Sequence, residues 1–239
     1  MYSSVNIVIP VYNEGENITN ILSDIEAKIS TEHHIFIVYD FDEDNTIPAV
    51  RKYIDRKSNV SVSLVKNKYG TGVLNAIKTG FGCANDGVIL VTMADLSDDL
   101  GKVDEMFKKI NEGYDIVCGS RYIKGGGQIG GSWFKKFLSR VAGVSLHYLT
   151  GIPTHDITNS FKMYTKKVLN EITIESNGGF ELGMEIVLKA FAKNYKITEV
   201  PSIWCDRSAG KSRFRLWKWL PKYLHWYWYG IKNRFQARP

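Results

Sequence analysis

Short apolar runs alternate with amphipathic stretches through the first half of this chain. Val5 to Val11, Ile35 to Val38, Val60 to Val65, Val88 to Val91 and Asp115 to Cys118 are compact runs of the kind that form buried strands. Between them, apolar residues recur at helical spacing. One set is Ile18, Ile21, Leu22 and Ile25, a second is Val50 and Ile54, and a third is Val103, Met106, Phe107 and Ile110. A glycine-containing loop, Lys68 to Ala76, enters a further helix. The alternation continues without a linker-like break as far as residue 123, and no internal repeat is visible. Apolar strands joined by amphipathic helices predict an α/β fold: a Rossmann-like, mostly parallel central sheet with helices on both faces.

After residue 123 the pattern changes. Lys124 to Gly131 holds five glycines in eight residues, which suits either an active-site flap or a plain flexible connection. A helix follows, with Phe134, Phe137, Leu138, Val141, Val144, Ser145, Tyr148 and Leu149 on one side. Lys136, Arg140, Gly143 and His147 form a narrow stripe on another, and Gly151 and Pro153 stop the helix. Ile157 to Tyr164 reads as a strand free to run antiparallel. Phe180 to Phe191 reads as a helix, and Ile197 to Trp204 as an edge strand, since it contains Pro201.

Charge changes the picture at the C-terminus. The 239 residues carry a net charge of +6, yet no acidic residue follows Asp206, and nine of the 31 basic residues do. The preceding body therefore sets 22 basic residues against all 25 acidic ones, a balance of −3. Four of the six tryptophans, Trp217, Trp219, Trp226 and Trp228, also lie in this end. Lys218, Lys222, His225 and Lys232 fall at helical offsets among them, and Pro221 is expected to start or kink the helix. An amphipathic aromatic helix with basic residues suits the headgroup level of an anionic membrane, and this is favoured over packing onto the domain. The division expected is a domain over 1–212 and a membrane-interface segment over 213–239, with membrane contact through 215–235. The net-acidic body argues against a nucleic-acid partner. No run of eighteen apolar residues suggests a membrane span, and the N-terminus enters a strand pattern rather than a leader. Three unclustered cysteines suit reduced thiols and a cytoplasmic setting.

The strongest chemical signal is the end of the fourth run, where Val88 to Val91 leads into Asp95, Asp98 and Asp99. Carboxylates at the carboxyl end of such a strand sit where open α/β sheets bind ligands, and they hold divalent cations that in turn hold phosphate. Asp95 is the ligand candidate. Asp98 and Asp99 suit caps for a helix beginning near Gly101.

Several motifs now resemble one family in order and spacing. They are Val8-Ile-Pro-Val-Tyr-Asn-Glu14, Gly70-Thr-Gly72 with Asn75, Ala94-Asp95-Leu96 and Gly119-Ser-Arg-Tyr122. Further along come His155-Asp156-Ile-Thr-Asn-Ser-Phe161, Gly179-Phe-Glu181 and Asp206-Arg-Ser-Ala-Gly-Lys-Ser-Arg213. Together they resemble the family 2 glycosyltransferases, and within them the polyprenyl- (dolichyl-) phosphate sugar synthases. The resemblance spans roughly residues 5 to 215. It implies a GT-A fold and inverting transfer of a hexose from a UDP- or GDP-sugar to a polyprenyl phosphate at the cytoplasmic membrane face. It also implies roles. Pro10, Tyr12, Glu14, Asp40, Gly70, Ala94 and Asp95 would bind the nucleotide, and Asp95 would bind Mg2+ or Mn2+. Arg121, Arg140, Arg207 and Arg213 would contact phosphate. Some relatives carry C-terminal transmembrane anchors; here the aromatic basic tail is the candidate to replace them, with a membrane-anchor partner protein as a further candidate.

Two positions depart from the family pattern. Met93 stands where the metal motif has its first aspartate, and methionine is a poor ligand for cations that prefer oxygen. The second-strand loop reads Tyr39-Asp40-Phe41-Asp42 in place of Asp-Asp-x-Ser. The alternatives are the same fold acting on a glycan hydroxyl and a binder of nucleotide-sugar without catalysis. A dinucleotide enzyme is disfavoured, because Gly70-Thr-Gly72 lacks the third glycine.

Overall fold

The computed structural model describes residues 1–57, 60–206 and 216–233. The elements in order are β1 (Ser4–Pro10), α1 (Ile18–Lys28), β2 (Glu32–Tyr39), α2 (Thr46–Arg56), β3 (Val62–Lys66) and α3 (Val73–Cys83). Then come β4 (Val88–Val91), α4 (Val103–Asn111), β5 (Ile116–Ser120), β6 (Gly127–Ile129) and α5 (Trp133–Thr150). The last are β7 (Lys162–Thr165), α6 (Lys166–Glu171), α7 (Leu182–Ala192), β8 (Ile197–Pro201), β9 (Ile203–Cys205) and α8 (Leu216–Asn233).

Seven strands form one sheet in the order β3-β2-β1-β4-β7-β5-β8. All neighbours pair in parallel except at β7, which runs antiparallel to both β4 and β5. The order reverses between β1 and β4, so the crevice beyond their carboxyl ends is where a ligand fits. One core joins α1, α2 and α4 to one sheet face through Ile21, Ile25, Val50 and Met106. The other joins α3, α5, α7 and α8 to the opposite face through Ile77, Phe81, Leu146, Val187 and Trp226. Both faces are covered, as the apolar strand pattern required.

Boundaries differ from expectation where a side chain competes for backbone. The strand expected from Ile157 begins at Lys162. The fully buried Lys162 ammonium donates to the carbonyls of Ile157 (3.1 Å) and Asn159, so these carbonyls serve a turn and not a ladder. The helix expected from Phe180 begins at Leu182. There the Glu181 carboxylate accepts from Gly178 N (2.9 Å) and Gly179 N (3.1 Å) and holds a turn with Gly179 at φ 122°. Gly179 is obligatory, since a Cβ would lie 2.5 Å from Val73 Cγ1. The glycine run is also not a plain loop: β6 pairs in parallel with β9 as a two-stranded ribbon. Gly151, at φ 77°, ends α5 as expected by donating to the His147 carbonyl. Pro201 lies in β8, an edge strand.

α8 packs on the domain along one side. Trp219 and Trp226 are buried, Tyr223 Oη donates to Phe180 O (2.7 Å), and Trp226 Nε1 donates to Ser176 Oγ (3.1 Å). Its other side exposes Trp217, Leu224 and Trp228. Pro221 neither starts the helix nor ends it but lies inside it. Among the described residues no helix is long and apolar enough to cross a membrane.

Asp104, in the first turn of α4, ties that helix to the α1–β2 connection. It accepts from Ser30 N (3.0 Å), Ser30 Oγ (2.6 Å), Thr31 N (2.9 Å) and Thr31 Oγ1 (2.7 Å). Burial works to raise its pKa, but these bonds outweigh it and lower the pKa to about 2. A depressed carboxylate contributes stability above its unfolded value and loses it as pH falls through the folded value. Asp104→Asn should therefore melt at a lower temperature than the parent at pH 7. The gap should narrow below about pH 4 and close near pH 2, as followed by circular dichroism.

Candidate active site

The loops after β1 and β2 are laced together by side chains that mimic strand pairing. Buried Asp44 accepts from Asn13 N (3.0 Å) and Thr46 N (2.8 Å). Glu14 N donates to Thr46 Oγ1 (2.9 Å), and Gly15 N to Asn45 Oδ1 (2.9 Å). This brace explains why Asn13 tolerates φ 55°. Asp40 spans to the third loop, accepting from Asn67 Nδ2 (2.9 Å) and Gly72 N (2.9 Å). Tyr12 meets Phe41 edge to face, with centroids 5.3 Å apart. Pro10 closes β1, Gly70 opens the turn into α3 at φ 92°, and Ala94 is buried. Pro10, Tyr12, Glu14, Asp40, Gly70 and Ala94 thus belong to neighbouring segments at the carboxyl ends of β1 to β4. None of them lines the cavity beyond β4.

That cavity, about 400 Å³, opens beyond β4. Asp95 lines it, buried and accepting from Ser97 N (3.2 Å). Met93 lines it as well. Asp98 does not cap a helix. Its Oδ2 accepts from Thr92 Oγ1 (2.9 Å) and Met93 N (3.1 Å), folding the chain back after β4. The turn after β4 needs an acceptor for these donors, and that need outweighs helix capping. Asp99 precedes a 3-10 turn without a side-chain cap and accepts from Ile203 N (3.2 Å) instead. Asp98 is pushed up to about 7, first by burial and then by Asp95. Among the described residues its Oδ1 is buried with no hydrogen-bond partner.

Arg121, at the end of β5, enters the cavity on a rigid mount. Its Nε and Nη2 form a fork on the Asp156 oxygens at 2.6 and 2.9 Å, and its backbone N–H donates to the same carboxylate (3.0 Å). Burial disfavours the guanidinium charge, but Asp156 more than compensates and raises its pKa. Asp156 is fully buried and belongs to a turn that is itself pinned. Asn159 Nδ2 donates to Gly119 O (2.9 Å), and Glu199 accepts from His155 N (2.8 Å) and Thr154 Oγ1 (3.1 Å). α5 crosses this turn at Gly143, where a Cβ would lie 2.2 Å from His155 O.

α5 contributes Lys135 and Lys136 to the lining. Arg140, expected here, is exposed on α5 and does not line the cavity; helical phase places it off the inward arc of Lys135, Ser139 and Ala142. Arg207 and Arg213 lie outside the described residues. Asp206 lines the cavity; it opens one of the motifs read from the sequence but was given no role there. Lys135 and Lys136 were obscured by their place beside a glycine run. Asp156 lay in a recognised motif, but only the fold supplies its partner. The charged lining is shared with Ile77, Phe81, Leu138, Ala142, Leu182 and Leu220.

The description "Glycosyl transferase family 2" matches residues 6–173, most of the chain. The chain belongs to glycosyl transferase family 2. A dolichol-phosphate mannosyltransferase of Pyrococcus furiosus is 28% identical to this glycosyltransferase over 215 residues, covering 88% of the chain and 59% of the relative. A polyprenol monophosphomannose synthase of Mycolicibacterium smegmatis is 27% identical over 211 residues, covering 87% and 79%. The chain thus spans less than two thirds of the archaeal relative. Glucosyl-3-phosphoglycerate synthase from Mycobacterium tuberculosis, solved with Mn2+, UDP and glucosyl-3-phosphoglycerate, superposes with a TM-score of 0.69 at 12% identity, over 99% of this chain and 81% of that one. The same synthase solved with Mg2+ and UDP superposes with a TM-score of 0.68. The shared architecture is the GT-A fold.

Removing one partner of a buried ion pair leaves the other charge uncompensated. Asp156→Ala should cost about 3 kcal/mol or more of stability, read as a lower urea midpoint with an unchanged slope.

Proposed function

We propose that this glycosyltransferase moves a hexose from a nucleotide-diphospho-sugar to a polyprenyl phosphate at the cytoplasmic membrane face. The observation that carries this reading is the lining of one cavity by Asp95, Arg121, Lys135 and Lys136 together with Ile77, Phe81, Leu138 and Leu220. Such a lining suits a ligand that is anionic at one point and hydrocarbon elsewhere. The two relatives are a dolichol-phosphate mannosyltransferase and a polyprenol monophosphomannose synthase, both named for such lipid phosphates.

The laced loops after β1, β2 and β3 would hold the nucleotide, with Tyr12 and Phe41 offering aromatic surface to the base. Arg121 would bind phosphate oxygens by its free edge. Its fork is already immobilised on Asp156, so little entropy is lost on binding. Lys135 and Lys136 of α5 would add charge to the same lining. An acceptor phosphate has its second pKa near 6 and is largely ionised at neutral pH, so no general base is required. Attack would come from the face opposite the leaving diphosphate, inverting the anomeric carbon.

Among the described residues no three His, Cys, Asp or Glu side chains cluster as a metal site. The donor chemistry nevertheless fits a hard cation that keeps most of its coordination for phosphate and water. Asp95 offers carboxylate oxygen, and Asp98 behind it has an unpaired buried oxygen that favours nearby positive charge. When bound by Asp95, Mg2+ or Mn2+ would stabilise charge on the departing diphosphate. Met93 contributes no hard donor. The outward side of α8 would face the membrane, presenting Trp217 and Trp228.

Incubation with polyprenyl phosphate, Mg2+ or Mn2+ and labelled UDP- and GDP-sugars should place label in the organic phase, labile to mild acid. Nucleotide binding with no organic-phase label would move the acceptor to a glycan hydroxyl. Asp95→Asn should lower transfer by about 100-fold or more while the protein still melts cooperatively. Unchanged transfer would remove Asp95 from the mechanism.

A further inference from the structure

The two-stranded ribbon of β6 and β9 puts two unlike side chains on one wall of the cavity. Gln128 and Trp204 are register partners across the parallel pair, so they project from the same face. Both line the cavity. Their neighbours Ile129 and Ile203 lie on the other face and are exposed. Gln128 and Trp204 both reach the space over Gly131, which has φ 76°. A Cβ there would lie 3.0 Å from Gln128 Nε2 and 3.3 Å from Trp204 Cζ3, so the missing side chain lets the two approach.

Trp204 is held from both sides. Ile203 before it donates its N–H to Asp99 Oδ2 (3.2 Å), and Cys205 after it donates to Ser97 O (3.0 Å). The indole is thereby mounted beside the segment that carries Asp95, which lines the same cavity. Across the ribbon, the Gln128 amide donates from Nε2 to Gly130 O (3.5 Å), which orients it. Its Oε1 is buried and has no hydrogen-bond partner among the described residues. A buried acceptor beside an open cavity is satisfied by a donor that a ligand brings.

The chemistry of this pair differs from the rest of the lining. Ile77, Leu138 and Leu182 offer hydrocarbon alone, and Arg121, Lys135 and Lys136 offer charge. An indole beside an amide acceptor suits a ring that is apolar on its C–H faces and carries hydroxyl donors at its rim, which describes a hexose. A prenyl chain on the same wall would leave Gln128 Oε1 without a donor, and a phosphate would set anionic oxygen against it.

We propose that Trp204 and Gln128 form the subsite for the transferred hexose. The indole carries one face of the ring, and Gln128 Oε1 accepts from one of its hydroxyls. This rests on the reading of the cavity as a site of hexose transfer and adds the residues that select the hexose. A site built to pair with a hydroxyl rejects a sugar that lacks it more strongly than an apolar pocket rejects a small change of shape. Gln128 therefore sets which hydroxyl the donor must have, and Trp204 sets which face of the ring it must present.

The test is equilibrium binding to the full chain in the presence of Mn2+, with UDP-glucose and GDP-mannose compared against UDP and GDP. Trp204→Leu and the near-isosteric Gln128→Met should each weaken the nucleotide-sugar by about tenfold and leave the matching nucleoside diphosphate unchanged. The parent should lose a similar factor for one monodeoxy analogue of the sugar, and Gln128→Met should lose nothing further at that position. Equal losses for nucleotide-sugar and nucleoside diphosphate would overturn the subsite, since the ribbon would then touch the nucleotide. Unchanged donor binding by both variants would overturn it too, and a raised KM for a short-chain prenyl phosphate in that case would give the wall to the acceptor. If Trp204→Leu melts early, Gln128→Met and the monodeoxy series decide alone. A parent that binds neither nucleotide-sugars nor nucleoside diphosphates would overturn the transferase reading itself, which failure of the subsite alone would leave standing.

Discussion

The buried pair of Arg121 and Asp156 is the interaction on which the site depends. A guanidinium removed from water needs a carboxylate at fork geometry, and a carboxylate with no exposure needs donors on both oxygens. Each condition is met by the other residue, so the end of β5 and the turn before β7 cannot move independently. That turn is held in addition by Lys162, Asn159 and Glu199, none of which lines up in a local sequence pattern. The result is a cation aimed into the cavity that does not have to be ordered when a ligand arrives.

The antiparallel strand β7 makes this possible. Inserted between β4 and β5, it brings the turn carrying Asp156 to the carboxyl ends of parallel strands, beside Asp95. Negative charge from Asp95 and Asp98 and positive charge from Arg121 and Lys162 then share a small buried volume. Asp98 responds with a raised pKa, and Lys162 with a lowered one, chiefly because burial penalises their charged forms. Of Asp95 and Asp98, Asp95 lines the cavity and is the one placed to meet a cation.

The helices on the cavity side carry a second constraint. α5 and α8 each have a buried arc, a cavity-lining arc and an exposed apolar arc. A helix in a water-soluble domain ordinarily turns its third arc into charged surface. Here the exposed aromatics persist on both helices, and acidic residues are missing from both.

Much of this was legible in the chain itself. Strand and helix order through β5 follows from apolar runs and 3.6-residue spacing, because those elements are buried on one face by local periodicity alone. Asp95 at the end of β4 was equally legible, since an apolar strand ending in carboxylate marks the crevice of a parallel sheet. What periodicity could not show is where side chains replace backbone as partners. Lys162 takes the carbonyls of the expected strand, Glu181 takes the amides of the expected helix start, and Asp98 braces a turn instead of capping a helix. It also could not phase α5, whose apolar side looked like core and faces solvent, or place Arg140, which shares a stripe with Lys136 yet points away from the cavity. Local periodicity accounts for the elements through β5 and for the acidic end of β4, because these depend on neighbours a few residues apart. Which charges meet is a matter of long-range folding, since Arg121 and Asp156 are brought together by the insertion of β7, a contact across 35 residues of chain that no local spacing encodes.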